Sequence, residues 1–174
     1  AGVARGVDQE VGPPFAEVAA DVGVKAEQMT GACVLDADGD GDADLYLVGP
    51  LGARLYRKDG ARFADVTEAA RASPPGVLAG CLAVDYDADA RPDLYVTVQG
   101  NDALLHNETP GGGAPLFRDL TPEAGIVTTG LGRGASAGDA DGDGDLDLFA
   151  ARLGSDPDIL PVDNPLWIQD AGRF

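Results

Sequence analysis

No apolar run in this 174-residue chain approaches the roughly 20 residues of a membrane-spanning helix. Nothing at the start of the chain reads as a signal peptide, although it opens on Ala1 rather than Met, as a chain does once a leader has been cut away. Basic residues are scarce, 12 against 30 acidic, for a formal net charge of -18. That balance argues against nucleic acid and against anionic membrane surfaces as partners. Histidine occurs once and cysteine twice, with no pair at zinc-ligand spacing, so a zinc site is not expected. What remains is a length sufficient for one domain with a substantial core.

The acid is concentrated. Asp36-Ala37-Asp38-Gly39-Asp40-Gly41-Asp42-Ala43-Asp44 runs directly into Leu45-Tyr46-Leu47-Val48. It recurs as Asp139-Ala140-Asp141-Gly142-Asp143-Gly144-Asp145-Leu146-Asp147 before Leu148-Phe149. A damaged copy lies between them, Asp85-Tyr86-Asp87-Ala88-Asp89-Ala90-Arg91-Pro92-Asp93, before Leu94-Tyr95-Val96. Alternating carboxylates repel unless a counter-charge is present, and a hard divalent cation supplies one. Calcium takes six to eight oxygen ligands in a flexible cage. The spacing assigns side-chain ligands to Asp36, Asp38, Asp40 and Asp44, with the carbonyl of Asp42 in the backbone slot. The same roles fall to Asp139, Asp141, Asp143, Asp147 and the Asp145 carbonyl. In the middle copy they fall to Asp85, Asp87, Asp89, Asp93 and the Arg91 carbonyl. Gly41 permits a turn with positive φ. Ala90 at that place costs about 1 kcal/mol if left-handed, so the middle site is expected to bind more weakly. Up to three calcium ions would cancel six of the negative charges.

An EF-hand uses a similar aspartate pattern but needs a Glu at the twelfth loop position and flanking helices. The twelfth positions here are Leu47, Val96 and Ala150, and the flanks alternate as strands do. The loops therefore join strand to strand.

A second marker shares the period. Phe15, Phe63, Phe117 and Phe174 each open a segment such as Phe63-Ala64-Asp65-Val66-Thr67, at separations of 48, 54 and 57 residues. The first loop aspartates are 49 and 54 apart. Periods near 50 signal propellers, solenoids or arrays. Each unit reads as an outer strand at the Phe, an apolar strand into the loop (31–35, 80–84, 134–138), an exit strand (45–48, 94–98, 148–152) and a third strand (55–57, 104–106, 166–168). Four short strands per unit is the content of a propeller blade. The divisions are a linker over residues 1–14 and three repeats over about 15–62, 63–116 and 117–174.

These loops, the Leu-Tyr or Leu-Phe exits and the Phe-x-Asp-Val-Thr segments resemble FG-GAP or VCBS repeats, across nearly all of residues 15–174. The resemblance implies an all-β chain of integrin-α-like β-propeller blades, with calcium at the loop positions named above. It implies a metal-stabilised scaffold for protein or carbohydrate contacts, usually without catalysis. Three blades do not make a closed ring of four to eight. The chain is expected to be part of a six- or seven-bladed ring, or one half of a ring closed by two copies. The former is favoured, because open blade edges invite aggregation.

Other residues carry weaker signals. Cys33 and Cys81 lie three and four residues before the first Asp of their loops, so in ideal strands they face opposite ways. They read as two small buried hydrophobes, with a disulfide as the alternative an even pair leaves open. His106 reads as a surface or edge residue rather than a catalyst, since no partner is proposed for it. Trp167 aligns with Tyr56 and Leu105 and reads as inter-blade packing, with a carbohydrate platform as the alternative. Asn107-Glu108-Thr109 matches a glycosylation sequon. The irregular loops 73–76, 109–115 and 154–165 are candidate contact surfaces.

The expectation from sequence is a calcium-stabilised, extracellular or periplasmic β-propeller module that binds protein or glycan and is not an enzyme. No direct membrane insertion is expected, and a homodimer or larger assembly is left open. The alternatives are an accessory subunit of a larger assembly, and the propeller portion of a polysaccharide lyase or hydrolase.

Overall fold

The apolar segments on either side of each aspartate loop are strands, and each loop turns one strand back antiparallel onto the next. The structure, a computed structural model, describes residues 16–154 and 164–170. Among the described residues a single short helix, α1 (Ala19–Val22), precedes eleven strands. The first sheet contains β1 (Gly31–Leu35), β2 (Asp44–Gly49), β3 (Gly52–Asp59) and β4 (Arg62–Asp65), in that order. The second contains β5 (Leu78–Val84), β6 (Asp93–Val98), β7 (Ala103–Asn107) and β8 (Phe117–Asp119). The third, with three strands, contains β9 (Leu131–Gly138), β10 (Asp147–Leu153) and β11 (Leu166–Trp167). All pairings within the sheets are antiparallel. The described chain is thus almost all-β and blade-like, though it does not form a closed ring. Phe15, Phe174 and most of the 154–165 insertion lie outside the described residues.

The repeated Phe segments form the outermost strand of the sheet they follow, in β4 and β8. Their Asp-x-Thr sequence then ends that strand by a local hydrogen-bond exchange. Asp65 Oδ1 accepts from the Thr67 amide and hydroxyl, and Thr67 Oγ1 accepts from the Leu55 amide of β3. Asp119 Oδ1 likewise accepts from the Thr121 amide, and Thr121 Oγ1 from the Leu104 amide. Side chains with a free oxygen thus satisfy backbone donors where the ladder stops.

The sheets stack front to back, and strand alternation decides which residues meet. Tyr46 and Val48 of β2 face the second sheet, and Leu94 and Val96 of β6 face back toward the first; all four are in one buried cluster with Leu35, Leu55 and Leu105. Tyr95 and Leu104 point the other way, into a second cluster with Leu148 and Ala150 of the third sheet. Residues of one face therefore meet residues of the opposite face of the next sheet. The register pairs Leu45 with Tyr56, Leu94 with Leu105 and Leu148 with Trp167, as the repeat alignment predicts. Trp167 packs on the second cluster, with its ring 6.1 Å from that of Tyr95. On the far face of the third sheet, Phe149 and Leu166, equivalents of Tyr46 and Leu55, are 42% and 52% exposed.

The innermost strands approach so closely that a side chain is excluded. A Cβ on Gly31 would lie 3.0 Å from Gly80 Cα, and one on Gly80 would lie 3.0 Å from the Arg133 carbonyl oxygen. Beside this contact Cys33 and Cys81 are joined in a disulfide, with Cα atoms 6.1 Å apart. This corrects the reading of two separate buried hydrophobes. The opposite facing inferred from their offsets is what unites them, because the sheets present opposite faces to each other.

Candidate metal centre

The three aspartate loops occupy equivalent corners, each between the first and second strands of its sheet. Each contains two left-handed residues. In the first loop these are Gly39 and Gly41 (φ 75° and 87°), and in the third Gly142 and Gly144 (φ 87° and 99°). The middle loop places Ala88 and Ala90 there, at φ 58° and 67°. The left-handed turn expected at Gly41 and Ala90 is present. The second one, at Gly39 and Ala88, is a feature that the repeat alignment contained and the sequence reading passed over.

The first aspartate of each loop gathers backbone donors. Asp36 accepts from the amides of Gly39, Asp40 and Gly41. Asp85 accepts from Asp89 and Ala90, and Asp139 from Gly142 and Gly144. The fifth-position carboxylates each accept from the amide two residues on: Asp40 from Asp42, Asp89 from Arg91, Asp143 from Asp145. These bonds curl the loop and aim the remaining oxygens at a common point. Carboxylate oxygens of Asp36, Asp38 and Asp40 lie within 4.8 Å of one another. So do those of Asp85, Asp87 and Asp89, and those of Asp139, Asp141 and Asp147. Asp143 is not within that third group. Asp42, assigned to the backbone slot, directs its carboxylate away to Lys58 Nζ at 2.9 Å.

The last aspartate of each loop is a buried strut as well as a candidate ligand. Asp44 accepts from the amides of Ala37 and Lys58, Asp93 from Tyr86 and Asn107, and Asp147 from Ala140 and Gln169. All three are essentially inaccessible to solvent. Each ties the loop entrance to the third strand. The third-strand residue then reaches the preceding loop: Asn107 Nδ2 donates to the Ala37 carbonyl at 3.1 Å, and Gln169 Nε2 to the Tyr86 carbonyl at 2.7 Å. A continuous run of hydrogen bonds joins Asp44, Ala37, Asn107, Asp93, Tyr86, Gln169 and Asp147. Asn107 is therefore 1% exposed and both its amide hydrogens are engaged, so the sequon reading fails: no sugar can be attached in the folded state.

His106 is not the surface residue expected. Its Nδ1 lies 3.0 Å from Asp93 Oδ1 and 3.7 Å from Asp87 Oδ2, and its ring meets Tyr86 edge-on at 5.9 Å. Arg91 bonds Asp89 through Nη2 and the Asn107 carbonyl through Nε at 2.9 Å. The equivalent of His106 in the first sheet is Arg57, 4.0 Å from Asp38.

Crowding shows in the acidities. Burial raises the carboxyls of Asp38, Asp44 and Asp93, the last to about 6. Neighbouring carboxylates add to the rise at Asp38, through Asp40. At Asp141 the hydrogen bond from the Asp143 amide pulls downward, but burial and the charges of Asp143, Asp147 and Asp139 outweigh it. A divalent cation at these points would reverse the sign of the field and return the oxygens to their charged form. The donor set, carboxylate and carbonyl oxygens only, suits a hard cation in the first and third loops.

A model of the FG-GAP-like repeat family matches residues 36–96 and, overlapping them, 85–150. Each match begins on the first aspartate of one loop and ends in the exit strand of the next. No curated protein matches the chain.

Proposed function

The chain belongs to the FG-GAP-like repeat family, and from that premise we propose that it is a calcium-stabilised β-propeller module that binds a protein or glycan partner outside the cytoplasm. The observation that carries this reading is the convergence of three carboxylates within 4.8 Å in each of the three loops, of which the first and third have glycine at both left-handed places. Asp36, Asp38 and Asp40, with the Asp42 carbonyl and the second lone pairs of Asp44, would hold one ion. Asp139, Asp141 and Asp147, with the Asp145 carbonyl, would hold another, and Asp143 would join by a rotation of its side chain. Calcium supplies counter-charge and a rigid link between two strands; it performs no chemistry here. The Cys33–Cys81 bond supports a place in an oxidising compartment. Recognition falls to the irregular loops 73–76 and 109–115, which are carried on rigid sheets.

Thermal melting with and without a chelator tests the reading. The melting temperature should fall by about 4–12 °C on chelation, the shift that about 2–3 kcal/mol produces in a domain of this size. Asp40→Ala should reproduce part of that fall. A melting temperature unmoved by chelator would refute the calcium reading.

A further inference from the structure

The middle loop gathers three carboxylates as the other two do, but we infer that it is closed by side chains of this chain, Arg91 and His106, in place of a divalent cation. This rests on the calcium reading above for the outer loops. Of the four carboxylates assigned to the middle site, Asp89 is bonded by the Arg91 guanidinium, while Asp87 and Asp93 flank His106 Nδ1. In the first loop a single one of the four, Asp38, has a cationic side chain in range, at 4.0 Å. In the third loop none of Asp139, Asp141, Asp143 and Asp147 has one among the described residues.

The sequence change responsible is local. Position 91 is the backbone-slot residue, Asp42 and Asp145 in the other loops. An arginine there is long enough to fold back onto the carboxylate two residues before it. Its Nε also donates to the Asn107 carbonyl, so the guanidinium is fixed between loop and third strand. Arginine remains charged at every accessible pH. His106 needs only its Nδ1 hydrogen to bond Asp93, since a carboxylate can only accept. Asp85 accepts from two loop amides, as Asp139 does, so the middle loop differs from the others in its cationic and imidazole side chains and not in this bonding. Asp87 Oδ1 is buried and without a hydrogen-bond partner. Arg91 supplies from within the chain the counter-charge that a cation would otherwise bring.

Losing the ion also removes the reason for glycine. A loop wrapped on calcium must bring several carbonyls and carboxylates to one centre, whereas a loop bridged by Arg91 needs only to keep its curl. Ala88 and Ala90 keep it at φ 58° and 67°. The middle loop thus retains the fold's corner without depending on ambient calcium. Through Asn107 and Gln169 it holds the ends of both neighbouring loops in register.

Calcium titration calorimetry of the 174-residue chain tests this by counting. The chain should bind two ions. Arg91→Asp combined with His106→Ile restores the residue types found at Asp145 and Ile168, and should raise the count to three. Asp40→Ala combined with Asp143→Ala should abolish tight binding, which covers the case in which the first variant fails to fold. Three ions in the unaltered chain, two in the converted variant, or one ion surviving the loss of both Asp40 and Asp143 would each overturn the inference. Zero ions in the unaltered chain would refute the calcium reading itself, a different result from a count of three.

Discussion

The two junctions between sheets use opposite chemistry for the same task. Between the first and second sheets the link is covalent, Cys33 to Cys81, inside an apolar cluster. Tyr46, at that junction, spends its hydroxyl on the Ala72 carbonyl at 2.7 Å. Between the second and third sheets the equivalent Tyr95 donates to Asp102 Oδ2 at 2.6 Å, and Asp102 pairs with Arg152, both side chains at 0% exposure. Arg152 also donates to the carbonyls of Thr129 and Gly100 at 2.7 and 2.6 Å, so each nitrogen of the buried guanidinium has a partner. The lesson is that repeat geometry fixes where sheets touch but leaves the bonding at the contact free to differ. Stability in such arrays is close to a sum of unit and neighbour terms, so the junctions can be broken one at a time.

The largest effect is expected from Arg152→Met, which leaves Asp102 buried without its counter-ion. The loss should be about 3–5 kcal/mol by urea denaturation, and hydrogen exchange should rise in β9 and β10 while β1 to β3 stay protected. Uniform exchange across all three sheets would show that the junctions are not separable. Replacing both Cys33 and Cys81 by Ala should cost about 2–4 kcal/mol through the freed unfolded chain, with exchange rising at the first junction instead. A smaller test uses glycines at one offset, five residues before each loop. Gly31→Ala and Gly80→Ala should each cost about 1–3 kcal/mol by overpacking, since both meet backbone at 3.0 Å. Gly134→Ala, with nothing within 4 Å, should change stability by under about 0.5 kcal/mol. An equal penalty at all three would mean strand propensity rather than packing sets it. The smallest contrast is between the amide bridges. Asn107→Leu removes two donors and an acceptor and should cost about 2 kcal/mol, Gln169→Leu about 1, because Gln169 Oε1 already lacks a partner. Calorimetric melting at fixed calcium would rank them, and a larger loss at Gln169 would invert the comparison.

Legibility followed repetition. Strand-level features that occur in each repeat could be read in advance: the strand before the loop, the exit strand, the Phe segment on the sheet edge, and the left-handed residue at Gly41 and Ala90, though not its companion at Gly39, Ala88 and Gly142. Residues that occur once could not. Arg152 has Gly49 and Val98 as counterparts, and Asp102 has Ala53, so no pattern announces a buried pair 50 residues apart. His106 looked idle because its partners, Asp87 and Asp93, are near only once β7 is paired with β6. The cysteines were different: the needed fact, their opposite facing, was read correctly and weighed the wrong way. Asp44, Asp93 and Asp147 were seen as ligands alone, because spacing cannot show that both oxygens also brace backbone amides.

The cysteine geometry has a use outside this chain. Identical positions in consecutive blades point in the same sense around the ring, so a cysteine placed at matching sites in two neighbours would have a whole sheet between its partner and itself. Shifting one of them by a single residue turns its sulfur toward the other. A search for cross-links in tandem blades, or an attempt to engineer one, should therefore look for odd differences in offset and discard the even ones.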